Sequence, residues 1–145
     1  MTKVIFRECG EEVYTLMHEL INEYYLNLRN VKIKCLFYDK LRKRGGKVVL
    51  GTSEVVSPKF NYLTDIDFII SIYEDAWDIM VEEQRKALLD HELHHLFIDE
   101  DKEGNPVCKI LLHDLEDFKE IIERYGADWA DNIYIDDDGV EKDDN

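Results

Sequence analysis

The segment His91-Glu92-Leu93-His94-His95 sets two imidazoles four residues apart, with a carboxylate next to the first. On an α-helix, residues four apart differ by about 40° around the axis and about 6 Å along it. His91 and His95 therefore share a face and can hold one metal ion together. Glu92 lies about 100° round from His91, beside such an ion rather than on it. That placement suits a general base acting on a metal-bound water, whose pKa zinc lowers to about 7. Leu89, Leu93, Leu96 and Phe97 form the apolar arc of the same helix, and Glu92 falls between that arc and the histidine pair. A carboxylate at the edge of a core is costly unless a cation compensates it.

A hydrolytic zinc site needs a third protein ligand and one open position. Downstream, His113 opens the run His113-Asp114-Leu115-Glu116-Asp117-Phe118. Imidazole suits zinc well, so His113 is the leading third ligand, with Glu116 the alternative. Asp114 or Asp117 would serve to orient a ligating histidine. His94 points away from the centre of the pair and reads as a neighbour of the site. His18 reads as a boundary residue of the first helix. Tyr73 and Tyr125 could supply a hydroxyl to the reacting carbonyl, though core roles explain them equally well. Trp77 and Trp129 read as core anchors.

The elements that must position these residues follow from hydrophobic periodicity. Residues 11–28 carry Val13, Leu16, Met17, Leu20, Ile21, Tyr24 and Leu28 at helical spacing. Residues 31–38 alternate as a half-buried strand, and 47–56 form a second strand across the Arg44-Gly45-Gly46 turn, expected to pair with the first as a hairpin. Residues 65–73 make a third strand, read from its place in the chain as an edge strand above the metal. A substrate peptide would add to that strand as an antiparallel partner. Residues 74–80 form a short helical piece around Trp77, 82–97 the motif helix, 99–106 a loop, and 111–125 a last helix stopped by Gly126. This order predicts an α+β fold: an N-terminal helix, a small three-stranded, mostly antiparallel sheet, the active-site helix and a C-terminal helix. Residues 1–130 are expected to form one domain. Residues 131–145 are expected to be an acidic, disordered tail.

The chain has 145 residues, of which 45% are hydrophobic, and a net charge of −15. That composition excludes a wholly disordered chain, and the charge disfavours nucleic acid and anionic membranes as general partners. The distribution is uneven. Residues 29–47 hold eight bases against Asp39 alone, whereas 131–145 hold seven acids and one lysine. The plain reading of the basic hairpin is a solvated face; the functional reading is a phosphate-contacting patch. Three widely spaced cysteines, Cys9, Cys35 and Cys108, make neither a CxxC site nor a disulfide framework. No apolar run reaches membrane-span length, and the N-terminus lacks the pattern of a signal peptide. The expected setting is cytoplasmic.

Ile66-Asp67-Phe68-Ile69-Ile70, Asp75-Ala76-Trp77, the run from Gln84 to His95 and His113-Asp114-Leu115-Glu116-Asp117-Phe118 together resemble the putative phage metallopeptidases. The likeness spans residues 10 to 130, and its most specific part is L-L-D-H-E-L-x-H followed by H-D-x-E-x-F. The resemblance implies a zincin-like minimal metalloprotease fold and one zinc at His91 and His95. It also implies Glu92 as base and His113 as third ligand. A phage-encoded protein would work in the host cytoplasm on a peptide or protein substrate. The rival class is a metal-stabilised binding or anti-defence protein without protease turnover; a third alternative is a protease tethered to nucleic acid through the basic hairpin, against which the solvated-face reading of that hairpin is preferred.

Overall fold

The computed structural model describes residues 3–111, 119–126 and 129–130. The N-terminal segment gives strand β1 (Phe6–Glu8) and helix α1 (Glu11–Tyr24), which buries Val13, Met17, Leu20 and Ile21 at three- and four-residue spacing. The α-helix stops sooner than its apolar periodicity suggests. Tyr25 leaves the helical region at φ −132°, ψ 55° and turns its ring into the interior, and a 3₁₀ turn at Leu26–Leu28 follows.

Strand β2 (Ile33–Tyr38) then enters the core. A small basic hairpin comes next, β3 (Lys43–Arg44) and β4 (Lys47–Val48), turning through Gly45 and Gly46 at positive φ. Strand β5 (Gly51–Val55), helix α2 (Pro58–Thr64), strand β6 (Phe68–Tyr73) and helix α3 (Glu74–Ile79) complete the first half.

The main sheet has four strands, not three, in the order β1-β2-β6-β5. β2 and β6 run parallel, from Ile33 opposite Phe68 to Tyr38 opposite Tyr73, and the two outer pairings are antiparallel. Two expectations are thereby corrected. The strand after the glycine turn does not pair with β2, and the strand at 68–73 is central rather than an edge. The reason is in the side chains. β6 buries Phe68, Ile70, Ser71, Ile72 and Tyr73 on both faces, which only an interior strand can do. β5, Gly-Thr-Ser-Glu-Val, is partly exposed throughout and suits an edge.

Helix α4 (Glu82–His94) packs against α1 and β5. Its start is fixed by Gln84, whose side-chain oxygen accepts from the Val81 N–H at 3.0 Å. The helix ends three residues before the expected Phe97. Leu96–Glu100 instead forms β7, paired antiparallel with β8 (Pro106–Ile110) across residues expected to be a loop. The turn between them is built by Asp101, whose carboxylate accepts from the N–H groups of Glu103 and Asn105, with Gly104 at φ 82°. Phe97, assigned to the apolar arc, is 40% exposed on this hairpin, while Leu89, Leu93 and Leu96 are buried. Helix α5 (Lys119–Tyr125) ends before Gly126, at φ 85°, as its sequence position implies. No helix among the described residues is long and apolar enough to cross a membrane. The acidic segment 131–145 lies outside the described residues.

Candidate metal centre

The last turn of α4 carries the candidate metal-binding residues. His95 is the residue after the helix, yet its backbone stays helical (φ −69°, ψ −24°) and its N–H reaches the Glu92 carbonyl at 3.2 Å. The early end of the helix therefore leaves the four-residue geometry of His91 and His95 intact. Their ring centroids stand 5.1 Å apart. Ligand atoms of His91, Glu92 and His95 all lie within 4.8 Å of one another.

His95 is held from behind. Its Nδ1 lies 2.7 Å from the Leu111 carbonyl oxygen, and the Leu111 N–H donates back to the His95 carbonyl at 2.6 Å. A carbonyl only accepts, so Nδ1 carries the proton and Nε2 keeps its lone pair for a ligand. This is the part that the β7–β8 hairpin plays in the site: it returns the chain to place that carbonyl. His91 packs against Trp129 at 6.1 Å between centroids, so Trp129 flanks the site as well as the core.

Glu92 is 3% exposed, as its position on the helix wheel requires. Its surroundings come from β5. The Ser53 hydroxyl lies 2.7 Å from Oε1 and 3.0 Å from the Glu92 carbonyl oxygen. Two residues earlier, on the same face of the strand, a Cβ at Gly51 would stand 3.4 Å from Oε2 and 3.2 Å from the Ser71 carbonyl.

A second buried group sits directly before the motif. Asp90 is fully buried. It accepts hydrogen bonds from the Tyr25 hydroxyl, from Arg124 at 2.6 and 2.8 Å and from the Tyr125 hydroxyl at 2.8 Å. Burial and the Asp90 charge push both phenols above their ordinary range. Burial works against the Arg124 charge, but the bonds to Tyr25 and Asp90 more than reverse this and raise its pKa. His94 rests edge-on against Tyr25, with Nδ1 3.3 Å from the hydroxyl, off the centre of the histidine pair as its register predicts.

The other candidates divide clearly. His113, Glu116, Asp114 and Asp117 lie outside the described residues. Tyr73 is a core residue stacked on Tyr38, with its hydroxyl toward Asp75. The Tyr125 hydroxyl is committed to Asp90. His18 is exposed on α1. Ser53, Gly51, Asp90, Tyr25 and Arg124 were not singled out from the sequence. Only Asp90 carried a signal, an acid among the buried positions of a helix.

The model of a family described as putative phage metallopeptidase matches residues 5–134. The chain belongs to the putative phage metallopeptidase family. No curated protein and no solved structure matches it. A metallopeptidase of this family requires a metal, and the donors present fit one. Two imidazoles, one with its tautomer set by a carbonyl, stand beside a buried carboxylate that a cation would compensate. The family's description also implies a peptide or protein as substrate.

Proposed function

We propose that this chain is a zinc metallopeptidase that hydrolyses a peptide bond, with Glu92 as general base. The observation that carries the reading is the grouping of His91, Glu92 and His95 at the end of α4, with Glu92 buried. His91 and His95 would hold one zinc, and His113 would be the third ligand, with Glu116 the alternative. Zinc, when bound there, lowers the pKa of water and polarises a carbonyl oxygen. Glu92 receives the water's proton while Ser53 donates to its Oε1. It then passes the proton to the departing amine. Leu111 keeps the His95 ring in one orientation throughout.

An extended substrate would lie along β5, the edge strand, rather than along β6. The Leu50 carbonyl and the Val56 N–H point toward β6, so the alternating residues Gly51, Ser53 and Val55 present their backbone groups to the other side.

Two measurements test the reading. Glu92→Gln should keep zinc and lower peptide hydrolysis by at least about 100-fold; retained hydrolysis would remove Glu92 from its role. Metal content by mass spectrometry should give one zinc per chain, lost in either His113→Ala or Glu116→Ala, which identifies the third ligand. A wild-type protein that takes up no zinc would leave the binding-protein class as the better account.

A further inference from the structure

Glu92 occupies an ambiguous position. Its carboxylate stands within 4.8 Å of ligand nitrogens on both histidines, so the same side chain could enter the metal's ligand set or stay beside it as a base. The two roles exclude each other. A carboxylate on the metal fills the position that hydrolysis needs open.

We propose that Ser53 is a positioning residue that decides between these roles by holding Glu92 off the metal. Its hydroxyl sits 2.7 Å from Oε1, a distance typical of a charge-assisted bond. The same hydroxyl lies 3.0 Å from the Glu92 main-chain carbonyl, so the contact is to the backbone of the motif as well as to the side chain. Gly51 acts through the room it leaves. A Cβ there would come to 3.2 Å from the Ser71 carbonyl, tighter than a side chain normally accepts on a fixed strand, and into ordinary contact with Oε2 at 3.4 Å. The edge strand thus bonds one carboxylate oxygen through Ser53 and runs close to the other at Gly51. The contact joins residues 39 apart in sequence and belongs to the β5–α4 packing. The inference rests on the reading of Glu92 as base.

The test uses cobalt(II) as a visible probe of the ligand set, with fluorescein-labelled casein as the activity probe. The variants are Ser53→Ala, Ser53→Thr, Ser53→Val, Glu92→Gln and Ser53→Ala/Glu92→Gln. Expected is a changed visible cobalt spectrum in Ser53→Ala, with metal affinity at or above wild type. Ser53→Thr, which keeps the hydroxyl, should match wild type. The change must vanish when Ser53→Ala/Glu92→Gln is compared with Glu92→Gln alone, because it needs the carboxylate. Casein hydrolysis should fall about 10- to 100-fold in kcat with KM little changed. If Ser53→Ala does not fold, the near-equal-sized Thr and Val variants carry the same comparison. Superimposable spectra for wild type, Ser53→Ala and Ser53→Val would overturn the role of Ser53 alone. So would loss of cobalt from both Ala and Val variants, which would make Ser53 merely structural. A wild type that binds no cobalt, or a Glu92→Gln variant as active as wild type, overturns the peptidase reading itself.

Discussion

Glu92 and Asp90 are two carboxylates two residues apart on one helix, each almost or fully buried, and they are compensated in different ways. Asp90 has a guanidinium and two phenols around it, a closed set of donors that leaves no room for chemistry. Glu92 has the Ser53 hydroxyl on Oε1, and its Oε2 lies close to Gly51. A buried acid is costly unless satisfied, and the two acids are satisfied by different sets of partners; the proposed base is the one held by Ser53 rather than by a guanidinium. The cysteines follow the same logic of burial. Loss of solvent and the nearby Glu8 push the Cys35 thiol up to about 12, and burial raises Cys9 and Cys108 as well. Since the thiolate is the nucleophile, iodoacetamide at about pH 8 should modify half-buried Cys108 first and reach Cys9 and Cys35 only on unfolding. Peptide mass spectrometry reads the order directly, and Cys35 labelling as fast as Cys108 would contradict it.

At the scale of elements, the strand that matters for the site is β5. Its polar sequence makes it the least conspicuous strand of the sheet, yet it supplies Ser53 and Gly51 and has only β6 as a strand partner among the described residues. The apolar run at 68–73 is legible as a strand, but its place in the sheet is not. Chain order put it at the edge; two apolar faces put it in the middle. The end of α4 shows a similar competition. Residues 96–98 continue the helical pattern of the motif, but the Asp101 turn allows Leu96–Glu100 to pair with Pro106–Ile110, and the pairing wins. If an extended substrate adds to β5, Val55→Pro should raise KM several-fold with kcat and melting temperature nearly unchanged. That residue's N–H faces away from β6, so the proline removes no existing ladder bond. An unchanged KM would place the substrate elsewhere.

Over the whole molecule, the Asp90 cluster ties together the residue that ends α1, the motif helix and α5. Tyr25, Arg124 and Tyr125 converge on it from segments 34 to 65 residues away. Removing the acid leaves a guanidinium with 22% side-chain exposure that has lost its ion-pair partner. Asp90→Ala should therefore cost about 3 kcal/mol in urea unfolding, the lower end for a broken buried pair because Arg124 is partly solvated. A loss below about 1 kcal/mol would mean that the phenols and water satisfy the site without it. Charge is also organised at this scale: the β3–β4 hairpin presents Arg44 and Lys47 at the surface of a chain with net charge −15.

The sequence by itself determined the pair His91 and His95, the burial of Glu92, the helix that presents them and the α+β class. All of these depend on spacings of four residues or fewer and on a polar–apolar boundary along one helix. Only the tertiary structure decided what surrounds them. Ser53 at Glu92, Leu111 at His95 and the ring of donors on Asp90 are contacts between segments far apart in the chain. A serine on a polar strand or a main-chain carbonyl has no pattern that marks it in advance. Such groups acquire a role only when packing β5 and the β7–β8 hairpin around α4 brings them within hydrogen-bonding distance.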